Sequence, residues 1–165
     1  MIDCKTASIS EIQVALADWQ KAQFSQYFDG TVDHSTFVRH LNWGVAEEYG
    51  EFCHARLKLA QGIRGDESKH VAALRDAIAD MLVYLMQIAT AKEVIVRKLC
   101  GNQINTRKDY GPFIIWPDAE TAARIEAVVL LAGDIGFDAE ECLRATVPIV
   151  LARDWKNHKI DGVSE

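Results

Sequence analysis

The chain has 165 residues, 49 % hydrophobic and 25 % charged, enough for one domain with a core of its own. Its net charge of −6, without a long basic run, argues against a broad nucleic-acid or anionic-membrane surface and leaves room for a local basic pocket. No apolar run approaches the roughly 18 residues of a membrane span, the first residues lack a basic region followed by an apolar run, and Cys4, Cys53, Cys100 and Cys142 are scattered. A cytoplasmic protein without a signal peptide, disulfide framework or zinc site is expected.

Nearly all of the pattern is helical. Ser8 or Ser10 is placed to cap a first helix, with Glu11 in its first turn, and Ile12, Ala15, Leu16, Trp19, Ala22 and Phe24 give it an apolar side as far as Phe28. Asp29-Gly30 ends it. A polar linker leads to a second helix with Ser35 as candidate cap, running to Gln61-Gly62. Asp66 or Ser68 then caps a third, which continues to about Ala91, and Val94 to Cys100 is expected to prolong the helical stretch. A polar, basic segment from Gly101 to Pro112 and a short apolar one from Phe113 to Pro117 follow. Two more helices are predicted, Asp118 to Ala132 and Asp138 to Arg153, the last kinked or broken at Pro148. The tail from Lys156 is polar and reads as frayed. Trp19, Phe24, Trp43 and Trp116 read as core, with one of them available to line a base pocket, and His34, His40 and His158 read as surface residues.

Two of the helices carry acids where a helix should be apolar. At about 100° per residue, Glu48 lies on the stripe of Leu41, Val45, Phe52, Ala55 and Leu59, with Glu51 and Glu47 flanking it. Asp80 sits in a run from Ile78 to Met86 that is apolar nearly all round, and Asp76 shares its face. An ionised carboxylate in such surroundings costs several kcal/mol unless compensated. Antiparallel packing of the two helices would bring these acids together, and hard divalent cations take oxygen ligands. The competing reading is a solvated surface acid, which suits Glu47 as well as a functional one does. Downstream, Lys98, Asn102, Arg107 and Lys108 form a set able to contact phosphate, or to serve as ordinary helix-end cations. No nucleophile elbow, phosphate-binding loop or dinucleotide fingerprint is present.

The ordered set Glu47-Glu48-x-x-Glu51, then Asp80, then Lys98, Asn102 and Arg107 resembles the MazG-like all-α nucleoside triphosphate pyrophosphohydrolases. One position departs. The acid expected three residues before the aspartate is Ala77, and Asp76 stands one residue earlier. The resemblance covers about residues 10 to 110. With the helical pattern it leads to the expectation of a single all-α domain, a four-helix core over 8–110 and, outside the family core, a two-helix extension over 118–153. It implies hydrolysis of a (deoxy)nucleoside triphosphate to the monophosphate and pyrophosphate. The acids Glu48, Glu51, Asp76 and Asp80 would hold Mg²⁺ or Mn²⁺, more than one ion per site, while Glu47 and Glu48 act on the attacking water and Lys98, Asn102, Arg107 and Lys108 bind the substrate. The resemblance further implies a homodimer or homotetramer without a nucleic-acid polymer or membrane as partner.

Other readings remain open at this stage. One is a related dUTPase-like activity on a di- or triphosphate. A second is a di-iron bundle built on Glu51-x-x-His54 and Glu67-x-x-His70, although His54 points roughly 120° away from Glu48. A third is a helical interaction module with no chemistry.

Overall fold

The computed structural model describes residues 2–63, 65–99, 114–115 and 120–158. The substrate-binding candidates Asn102, Arg107 and Lys108, together with Trp116 and Cys100, lie outside the described residues. All regular structure among the described residues is helical, as the periodicity predicts.

Helix α1 spans Ile9–Gln23 and begins in a capping box. The Ser8 hydroxyl accepts from the Glu11 amide, and the Glu11 carboxylate accepts from the Ser8 amide at 2.7 Å. It stops at Gln23, short of the predicted Phe28, and gives way to a single 3-10 turn over Ser25–Tyr27. The aromatic side chains there leave the α1 direction to pack on the next helix. Tyr27 stacks on Phe37 at 4.7 Å, and Phe28 meets the same ring edge-on at 5.4 Å.

Helix α2 spans His34–Gln61. Its cap is Asp33, not Ser35. The Asp33 carboxylate accepts from the Thr36 amide and from the Ser35 and Thr36 hydroxyls, a set that holds its pKa far below the ordinary carboxylate range. Gly62 closes α2 at φ 61, in the left-handed region. Asp66 then caps helix α3, Glu67–Ala91, by accepting from the Ser68 amide at 2.9 Å.

From Ala77 to Ala89 helix α3 is buried on almost every side, so it is the element around which the others pack. It does not extend into residues 94–99, and Cys100, the end of the expected stretch, lies outside the described residues. Glu93 takes φ 58, and residues 94–99 are irregular. The β-branched run Val94-Ile95-Val96 favours extended backbone over helix. The buried Gln13 amide of α1 supplies the hydrogen bonds a continued helix would have made, donating to the Val94 carbonyl and accepting from the Val96 amide, both at 2.8 Å.

Helices α4, Thr121–Asp134, and α5, Ala139–Ala152, form the predicted C-terminal pair. Asp138 caps α5 through the amides of Glu140 and Glu141. Of the kink or break expected at Pro148, the break is not there: α5 runs through it to Ala152. Val147 and Val150, on either side, are buried in the common core, and that packing holds the last turn although Pro148 contributes no amide donor. Ala127, Val128, Leu143 and Val147 join Ile12, Leu16, Ile78, Leu82 and Leu85 in one hydrophobic cluster, so the C-terminal pair packs into the same core as the acid-bearing helices.

Two arginines tie this arrangement together. Arg144 pairs with Glu140 at 2.7 Å and donates to the carbonyls of Cys4 and Ala7, fastening the N-terminal segment to α5. Arg124 is fully buried and donates from Nε to the Ile114 carbonyl and from Nη1 to the Asn42 side chain of α2. Burial pushes its guanidinium down to about 10.

Candidate active site

Glu48 of α2 and Asp80 of α3 meet on one cleft of about 360 Å³, and both are half-buried. The cleft lies where α1, the 3-10 turn, α2, α3 and the end of α5 converge. Six aromatic side chains line it: Trp19, Phe24, Tyr27, Phe37, Tyr84 and Trp155. The buried amides of Gln20 and Gln87, joined at 2.9 Å, add a polar patch.

The two acids are raised strongly. Burial is the largest cause for Glu48, followed by the charges of Asp80, Glu51, Glu47 and Asp76, and together they push it up to about 8. Burial and then Asp76 raise Asp80 to about 6, against an opposing pull from Arg153. Neither carboxylate has a hydrogen-bond or ion-pair partner among the described residues. The Tyr84 hydroxyl lies in the same field. Burial and the charges of Glu48, Glu47 and Asp80 push it up to about 12.

Tyr84 reaches this position because α2 has no side chain at Gly44, one turn before Glu48. A Cβ there would stand 2.4 Å from the tyrosine ring. Gly44→Ala is therefore expected to cost roughly 1–3 kcal/mol and to displace Tyr84 from the cleft. Gly50 lies on the same helix with open space around it, and Gly50→Ala should stabilise by up to ~1 kcal/mol. Urea unfolding of the two variants checks the pair. Equal responses would mean that the Gly44–Tyr84 contact does not constrain the site.

The other predicted site residues are placed less centrally. Glu47, Glu51 and Asp76 are exposed and do not line the cleft, although each is close enough to raise Glu48. Asp76 borders a separate groove with Arg75, Phe137 and Cys142. Ala77 is 2 % exposed and packed into the core, so the side of α3 on which the family pattern has its acid is here an apolar contact. Lys98 is exposed beyond the end of α3 and does not line the cleft. His54 and Glu67 are exposed and His70 half-buried, and none of the three reaches the cleft, so the two E-x-x-H motifs are not assembled with Glu48 and Asp80. No group of three or more His, Cys, Asp or Glu side chains among the described residues is drawn together closely enough to hold a metal ion. The fit to a divalent cation therefore rests on donor chemistry. Two half-buried carboxylates without a counter-charge in contact among the described residues, and three more acids close by, are an all-oxygen set suited to a hard cation.

Two residues of α2, His40 and Trp43, differ from their sequence reading. His40 is not a solvated histidine: it lines the cleft, shares a 2.8 Å hydrogen bond between Nδ1 and the Tyr27 hydroxyl, and stacks on Trp43. Trp43, read as core, is 61 % exposed. Arg153 escaped the sequence reading altogether. It stands at the end of α5, lines the cleft, and its charge opposes the upward shifts of both Asp80 and Tyr84. Its only sequence signal was a cation at a helix end, two residues before a tryptophan, which is common on solvated surfaces.

No family model, curated protein or solved structure matches this chain. No helix among the described residues is long and apolar enough to cross a membrane.

Proposed function

We propose that the protein hydrolyses a (deoxy)nucleoside triphosphate to the monophosphate and pyrophosphate in a metal-dependent reaction, as its resemblance to the MazG-like enzymes implies. The observation that carries this reading is the meeting of Glu48 and Asp80, acids without a cation in contact among the described residues, with Arg153 in a cleft partly walled by aromatic rings. The aromatic walls suit a nucleobase, which stacks on such rings whatever its identity. Arg153 suits phosphate oxygens, which a guanidinium contacts through paired N–H groups. Glu48 and Asp80, with Glu51 and Asp76 alongside, would hold Mg²⁺ or Mn²⁺, and such ions supply charge neutralisation and a water of lowered pKa. Glu47, exposed and one residue from Glu48, would accept a proton from the attacking water. Arg153 offsets charge that develops on the phosphates. Lys98 is off the cleft of its own chain, so its phosphate role belongs to a dimer or tetramer in which it meets a neighbour's site.

A panel of ribo- and deoxyribonucleoside triphosphates and dUDP with Mg²⁺ or Mn²⁺, read by product chromatography, tests the reading. Monophosphate and pyrophosphate are the expected first products. Orthophosphate as first product, with pyrophosphatase absent, would show that a different bond is cut. Turnover confined to uridine nucleotides, the diphosphate included, would move the protein to the dUTPase-like reading.

A further inference from the structure

We infer that Trp19 is a positioning residue, whose indole N–H holds the Arg153 carbonyl and thereby keeps the Arg153 guanidinium on the acid cleft. The inference rests on the phosphate-binding role proposed above for Arg153. Arg153 is the C-cap of α5, with extended backbone at φ −68 and ψ 134, so α5 ends there and no further helical turn constrains the residue. The constraint comes from the opposite end of the sequence. Trp19 Nε1 donates to the Arg153 carbonyl at 3.0 Å. Trp19 is itself held edge-on against Phe24, with ring centroids 5.9 Å apart. On the other side the Arg153 guanidinium lies over the Trp155 ring, 5.8 Å from its centroid. The Asp154 side chain, accepting from the Asn157 side chain at 2.7 Å, closes the turn that carries Trp155. Trp19, Arg153 and Trp155 all line the cleft. A long side chain at a helix end loses much rotamer freedom when it binds a phosphate, and anchoring its backbone beforehand reduces that loss.

The test uses the full chain and the triphosphate that the wild type hydrolyses fastest. Trp19→Phe keeps an aromatic ring and removes the donor. It is expected to raise KM about fivefold, the scale of one lost hydrogen bond, with the smaller part of the effect in kcat. In an Arg153→Gln background the same change should add nothing. Wild-type KM in Trp19→Phe, or a full effect retained in the double variant, would overturn the inference. A second measurement is independent of turnover. In protein labelled with 5-fluorotryptophan, the Trp155 resonance, assigned by its loss in Trp155→Phe, should shift in Trp19→Phe as the turn is released. An unmoved resonance overturns the inference even in an active enzyme. Absence of any metal-dependent hydrolysis by the wild type defeats the pyrophosphohydrolase reading instead, and the fluorine spectrum then decides whether Trp19 holds the turn.

Discussion

Asp80→Asn is expected to lower metal-dependent hydrolysis by a factor on the order of a hundred or more while leaving the fold in place. The substitution keeps the shape of the side chain and removes one of the two carboxylates on the cleft. Its stability effect should be neutral or favourable, because an ionised Asp80 is half-buried beside Asp76 and Glu51, and among the described residues the Arg153 charge is the one that opposes them. The expected pair of results is thus lost turnover with helicity and melting temperature kept or raised. Circular dichroism alongside the kinetic assay separates this outcome from unfolding. Turnover like that of the wild type would remove Asp80 from the site, and with it the argument for a cation between α2 and α3.

The metal-free protein should lose stability as the pH rises. Both acids titrate higher in the folded chain than in an unfolded one, Glu48 moving from 4.5 to about 8 and Asp80 from 3.8 to about 6. Between those limits the folded state binds more protons than the unfolded state. The contribution of each group is therefore complete below its unfolded pKa. It declines as the pH passes through about 6 for Asp80 and about 8 for Glu48. A divalent cation bound to the ionised pair reverses the trend, since it binds the native state and competes with protons for the same oxygens. Melting temperatures in chelator are expected to fall across this window and to recover at its upper end on adding excess Mg²⁺ or Mn²⁺. Glu48→Gln should flatten the chelator curve. A wild-type curve that is flat in chelator and unmoved by either ion would show that the acids are solvated and bind no cation.

The local pattern determined much of the molecule. A helix with a cap is written in adjacent residues, so Ser8 with Glu11 and Asp66 were among the few caps the sequence offered, and the apolar stripes that surround Glu48 and Asp80 marked those two acids as unusual before any packing was known. Where two local signals competed, the structure chose between them. Asp33 outranks Ser35 because its two carboxylate oxygens satisfy three donors at once, and the aromatic residues after Gln23 turn back onto Phe37 instead of prolonging α1.

Only the tertiary structure decided the rest. That Asp76 faces a second groove and Ala77 the core depends on which neighbours pack against α3, and its sequence, apolar nearly all round, does not say. The irregular backbone after Glu93 is held by Gln13, and the Arg153 end of α5 by Trp19, contacts between segments far apart in the chain. Helical periodicity tells which residues share a face, because it is a property of neighbouring backbone units. It does not tell what that face meets, because contact between distant segments is set by how all the helices share one core, and the cleft exists only where five such segments converge.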